Sequence, residues 1–192
     1  MNKKKIIFII SSVIVIVIVI VIFTQSYPIV LVNWRPISLK SFKKDVLIAV
    51  SYYRKALETY DKNQAAVMNS KEVKQKIERA VLDKLIEDNL IQRELEKRLK
   101  NNELEKMVND KIEEALKGKD IRKEVETLFG VSLYELKERF LKPRARWEIF
   151  ESRLALENKN INDWLKEIKS EAGVMIFFPG FEWNGEGVII KK

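Results

Sequence analysis

The chain has 192 residues with 36 Lys and Arg against 28 Asp and Glu, a net charge of +8, and neither cysteine nor histidine. The missing cysteines exclude disulfides, thiolate metal sites and thiol nucleophiles, and the missing histidines remove the commonest general base and metal ligand, so a non-enzyme without metal or cofactor is expected. Basic and acidic residues alternate through the middle of the chain, as on solvated helix faces, and form no basic stripe with interleaved aromatics, which argues against nucleic-acid binding.

Residues 1–26 read as a basic N-terminus and a membrane anchor. Ile6 to Phe23 is an 18-residue run without a charge, interrupted only by Ser11 and Ser12. As a helix it spans about 27 Å, enough to cross the hydrocarbon of a bilayer. Its Ile/Val content favours a strand in water, but a single lipid-exposed segment satisfies its backbone only as a helix. Ile6, Phe8, Ile10, Val13, Ile16, Val19 and Phe23 are the expected membrane-anchor residues. The run is longer than the apolar region of a cleaved signal, and Thr24-Gln25-Ser26 lacks the small-residue cleavage pattern. Lys3, Lys4 and Lys5 precede the span and the next basic residue is Arg35, which places the N-terminus in the cytoplasm and the rest outside it, in a periplasm or cell-wall space.

Residues 27–178 read as one mostly helical domain and residues 179–192 as a hairpin-like tail. Ile29 to Val32 is a short apolar run after Pro28, expected as a strand, with a turn over Asn33-Trp34-Arg35-Pro36. Ser38 is a candidate N-cap for a helix to about Tyr60, with Phe42, Val46, Ala49, Val50, Tyr53 and Leu57 on one face. Asn69 or Ser70 caps the longest helix, to about Leu99, on which Val73, Ile77, Val81 and Leu85 form one row and Leu82, Ile86 and Leu90 the next. Asn101-Asn102 is expected to break it before a helix from Glu103 to Leu116. Gly118 then caps that helix, and a short helix runs from Asp120 to Gly130.

Ser132-Leu133-Tyr134-Glu135 has the form of a capping box, opening a helix that Pro143 is expected to kink or interrupt before Trp147, Phe150 and Leu154. Asn160 or Asn162 caps a last helix that Gly173 ends. Val174 to Phe178 again looks like a strand, and Asn184-Gly185 marks a hairpin. With short apolar strands at both ends and helices between, the two strands are expected to pair, making a small β element that joins the N- and C-terminal segments.

Several motifs in order carry a family resemblance. Val32-Asn33-Trp34-Arg35-Pro36-Ile37-Ser38 resembles the opening of the SurA-like N-terminal chaperone domain, and Val81 to Leu95 resembles the apolar row of its second helix. Val108 to Ile112, Gly130 to Leu136 and Asp163 to Val174 are similar to later segments of that family, so the resemblance covers about residues 29–178. Relatives such as the PrsA-like lipoproteins carry a parvulin prolyl isomerase domain before the last helix, where this chain has only Ala155 to Asn160. Parvulin sites use paired histidines with a cysteine or aspartate, so isomerase activity is not expected here. Two further departures are Trp34, where the family has glycine, and the absence of a lipidated cysteine.

The resemblance implies a helical cradle acting as a holdase for unfolded or partly folded exported polypeptides. Tyr52, Tyr53, Tyr60, Phe140, Trp147 and Phe150 are the candidate client contacts, because large rigid side chains bring contact area at small entropic cost. Aromatics at helical spacing are also what a core requires. A membrane-tethered scaffold for one specific partner is the other function class that fits. Lys142, Arg144, Arg146 and Arg153 read as a solvated helix face, and Gly180, Gly185 and Gly187 as turn residues.

Overall fold

A computed structural model describes residues 25–60 and 70–191, with the side chains of residues 59 and 60 left aside. The expected anchor, Ile6 to Phe23, lies outside the described residues, and among those residues no helix is long and apolar enough to cross a membrane. The described chain is mostly helical with two small sheets.

The chain enters through β1 (Pro28–Val32) and β2 (Arg35–Ser38), an antiparallel hairpin. Only Asn33 and Trp34 lie between the strands, and both have positive φ, 48° and 70°. Such a two-residue turn matches the twist of the strands but favours glycine at its second position, so a tryptophan there is held against steric preference. Arg35 and Pro36, expected in the turn, belong to β2 because the turn closes in two residues.

The third strand of this sheet is β3 (Val174–Ile176), which pairs antiparallel with β1 in the register Val30↔Ile176, Leu31↔Met175 and Val32↔Val174. The two ends of the domain are thus joined, as the terminal apolar runs predicted. Asn33 reinforces the joint from both sides of its residue. Its amide donates to the Gly173 carbonyl at 2.9 Å, and its side-chain oxygen accepts from the Gly173 amide at 3.0 Å.

Between β2 and β3 the chain is helical: α1 (Leu39–Tyr60), α2 (Lys71–Arg98), α3 (Asn101–Leu116), α4 (Arg122–Phe129), α5 (Leu133–Leu136), α6 (Lys142–Leu156) and α7 (Ile161–Glu171). Side-chain caps set several starts. Ser70 Oγ accepts from the Val73 amide, Ser132 and Glu135 form the reciprocal capping box, and Asn160 accepts from the Asn162 amide. Asn101 and Asn102 open α3 rather than break α2, since an asparagine in a first turn can accept from a free amide, as Asn102 does from Glu103 at 3.0 Å.

Pro143 does not interrupt the chain. A π turn, Lys137–Leu141, joins α5 to α6 and the Lys142 amide donates to the Lys137 carbonyl five residues back. Pro143 has no N–H for the Arg139 carbonyl and its ring crowds that carbonyl in a regular helix, so widening the preceding turn relieves the conflict.

Three apolar clusters hold these elements. Beneath the sheet, Val30, Val32, Ile37 and Phe42 meet Leu82 and Ile86 of α2. The distal half of α2 packs Ile91 and Leu95 against Leu104, Val108, Ile149, Phe150 and Leu154. A smaller cluster joins Ile48 of α1 to Val125, Val131 and Leu136. The C-terminal hairpin, β4 (Phe181–Trp183) and β5 (Val188–Ile190), adds Phe181 and Val188 to the first cluster. It is fixed to α2 where Asp83 accepts from the Val188 amide at 3.1 Å, and a Cβ on Gly187 would lie 3.2 Å from both Asp83 carboxylate oxygens.

Candidate functional site

A groove of about 610 Å³ opens to solvent between α1, the start of α2, α4 and the π turn. Its origin lies in where α2 finds partners. The buried residues of α2 begin at Val81, and Val73, the half-buried Ile77 and Ala80 continue the apolar row before it and become one wall. Ile48, Ala49, Tyr52 and Tyr53 of α1 form the facing wall.

Aromatic rings line the far side in sequence. Tyr53 meets Tyr52 edge to face with centroids 5.8 Å apart, Tyr52 stacks on Phe129 at 5.2 Å and 10°, and Phe129 lies 6.4 Å from Phe140. Lys84 Nζ sits 5.7 Å from the Phe140 ring centre, within cation–π range. The tyrosines are 44% and 52% exposed, so this wall faces water.

Charged groups mark the groove's inner end. The Arg139 guanidinium donates to Asp45 at 2.7 Å and also to the Ser41 carbonyl and hydroxyl at 3.3 and 3.2 Å. Burial pushes the Asp45 carboxyl above its ordinary value, with Arg139, Lys84 and Lys44 pulling the other way. One turn along α2, Asp88 is likewise pushed up by burial, opposed by its ion pair with Lys84 and reinforced by the nearby Asp45 charge. Lys44 pairs with Glu135, giving α1 a second ionic link to the segment that carries Phe140.

Tyr52, Tyr53 and Phe140 therefore come together in the groove. The Tyr60 side chain is outside what is described. Phe150 is a correction: it has no exposed surface, being enclosed in the second cluster with Trp164 edge-on at 4.5 Å and the Arg98 guanidinium at 5.4 Å. Trp147 packs half-buried against the same cluster. Both lie on the stretch of α6 that meets α2 and α3, so their surface is spent on the core.

Phe129 was not among the sequence candidates. It lies at the end of a short helix that Gly130, with φ +68°, closes immediately after it. The Ile77 and Val73 row was visible as a stripe, but nothing in its spacing separates the covered turns from the open ones.

Comparison with known proteins finds no matching family model, no matching curated protein and no matching solved structure. The groove must therefore be interpreted from its own chemistry. It offers apolar and aromatic surface with a charged inner end, an arrangement suited to taking up apolar side chains.

Proposed function

We propose that the chain is a membrane-anchored extracytoplasmic holdase, a SurA-N-like domain behind an N-terminal transmembrane helix, which binds unfolded or partly folded exported polypeptides without isomerising their prolines. The observation that carries this reading is the groove's aromatic wall of Tyr53, Tyr52, Phe129 and Phe140, open to solvent opposite Val73, Ile77 and Ala80. A volume of about 610 Å³ suits a few apolar side chains of an extended segment and excludes a folded domain.

Burying about 200 Å² of apolar client surface contributes roughly 5 kcal/mol before association costs, which leaves weak binding. Weak binding serves a holdase, because clients must leave to fold. Tethering compensates by raising the effective concentration of the groove near chains emerging on the same side of the membrane. The order of the SurA-like motifs supports the same reading.

The test is suppression of aggregation of several unrelated denatured proteins by the full chain in lipid nanodiscs at near-stoichiometric ratio. The expected result is suppression by the native chain and its loss in Ala80→Arg, which places a charged side chain across the groove. Failure with every client would overturn the holdase and leave the one-partner scaffold.

A further inference from the structure

The outer face of the three-stranded sheet is apolar, and among the described residues it is largely uncovered. Leu31 sits between Pro36 on β2 and Met175 on β3 in the ladder, so these three share the face opposite Val30, Val32 and Ile37, which enter the core. Met175 is 41% exposed, and Phe177, two residues on and still bonded through its amide to the Ile29 carbonyl, is 58% exposed. Trp34, on the hairpin tip at this sheet's end, is 82% exposed. An indole held at a φ of 70°, in a turn that favours glycine, gains little packing from the described residues.

The position of this face in the chain identifies what it meets. Phe23, the last residue of the apolar run, is only five residues before Pro28, a reach of at most about 18 Å. Gln25 and Tyr27 are tied to the domain by carbonyls that accept from the Lys40 and Leu39 amides, so the connection is short and partly fixed. Lys40 and Lys43, at the start of α1 beside this entry, are both exposed. Tryptophan and other aromatic side chains gain most at the boundary between hydrocarbon and headgroups, and lysines beside them favour an anionic surface.

We infer that the outer face of this sheet, through Trp34, Met175 and Phe177, docks on the lipid surface next to the anchor and so fixes the orientation of the domain. This rests on the anchor reading of Ile6 to Phe23, and the two are separable by experiment. The chain has no cysteine, so single spin labels can be placed on the full-length protein through Trp34→Cys, Phe177→Cys, Leu156→Cys and Val19→Cys. Each is reconstituted in phosphatidylcholine vesicles containing phosphatidylglycerol, and collisions with oxygen and with a nickel chelate are compared.

Labels at 34 and 177 should show an oxygen-to-nickel ratio several-fold above that at 156, whose native leucine is exposed on α6, with 19 higher still. If 19 is deep while 34 and 177 match 156, the anchor stands and the docking is overturned. If 19 also matches 156, the anchor fails and the docking with it. Spin–spin broadening at 34 or 177 that disappears on dilution with unlabelled chain would assign the face to a second copy and overturn the lipid assignment. Quenching of the unlabelled chain by brominated lipid gives an independent reading. It should fall in Trp34→Ala, and an unchanged signal would again overturn the docking.

Discussion

Arg139 and Asp45 join across the inner end of the groove at 2.7 Å, and through them the π turn is tied to α1. Because the carboxylate is buried and Arg139 is its direct partner, losing the arginine strands a charge. Arg139→Ala should destabilise the domain by about 3 kcal/mol at neutral pH, as expected when one partner of a buried pair is removed. Asp45→Asn should cost less, since it leaves the more exposed partner. Denaturant midpoints of the two variants check the order.

Acid should first strengthen the fold and then weaken it. Burial raises the folded-state values of Asp45 and Asp88 above their ordinary 3.8, so in the window just above 3.8 the folded state binds more protons than the unfolded one. Stability therefore rises as pH falls through that window. Glu96 behaves in the opposite sense. The hydrogen bond from Arg35 lowers its value below the ordinary 4.5, so its contribution is present above 4.5 and is lost as pH falls below it. The expected result is a melting temperature with a mildly acidic maximum, flattened on its neutral side by Asp45→Asn with Asp88→Asn. A maximum unchanged by that pair of substitutions would contradict the assignment.

Phe150 and Tyr53 should respond in opposite ways to truncation. Phe150→Ala opens a cavity in the second cluster and should cost about 3 to 5 kcal/mol of stability. Tyr53→Ala, at a half-exposed position, should cost about 1 kcal/mol or less while weakening capture of denatured clients. Urea unfolding and an aggregation assay on the same preparations separate the two effects.

Trp34→Gly should stabilise the isolated fold. Removing a bulky residue from φ 70° relieves strain on the order of 1 kcal/mol, and an 82% exposed side chain has little packing to lose. The urea midpoint should increase with no change in slope.

Much of this architecture was legible in the sequence because local chemistry marks it. Ser70, Ser132 and Asn160 announce helix starts through amides they can satisfy, and the Ile29 and Val174 runs announce strands that pair with each other. The groove was legible only in part. Tyr52, Tyr53, Trp147 and Phe150 share the same helical spacing, and what divides them is whether a third element arrives to cover them. For Phe150, α7 supplies Trp164, whereas at Tyr52 the short α4 supplies one ring and stops. The π turn was invisible for a related reason: Pro143 signals a conflict in the backbone without specifying how the neighbouring turn resolves it.

The pairing of β1 with β3, stapled by Asn33 to Gly173, spans 140 positions of chain. A ribosome delivers β1 and its hairpin partner β2 long before β3 exists, so one edge of β1 waits unpaired while every helix of the domain is made. Its inner face, Val30 and Val32, can be covered by α1 and α2 in the meantime, but its backbone edge cannot. Closing a loop of that length is slow compared with winding the helices it encloses. The strand that emerges first thus cannot complete its pairing until β3 is made, and until then the nascent domain exposes a strand edge of the kind that a chaperone exists to shield.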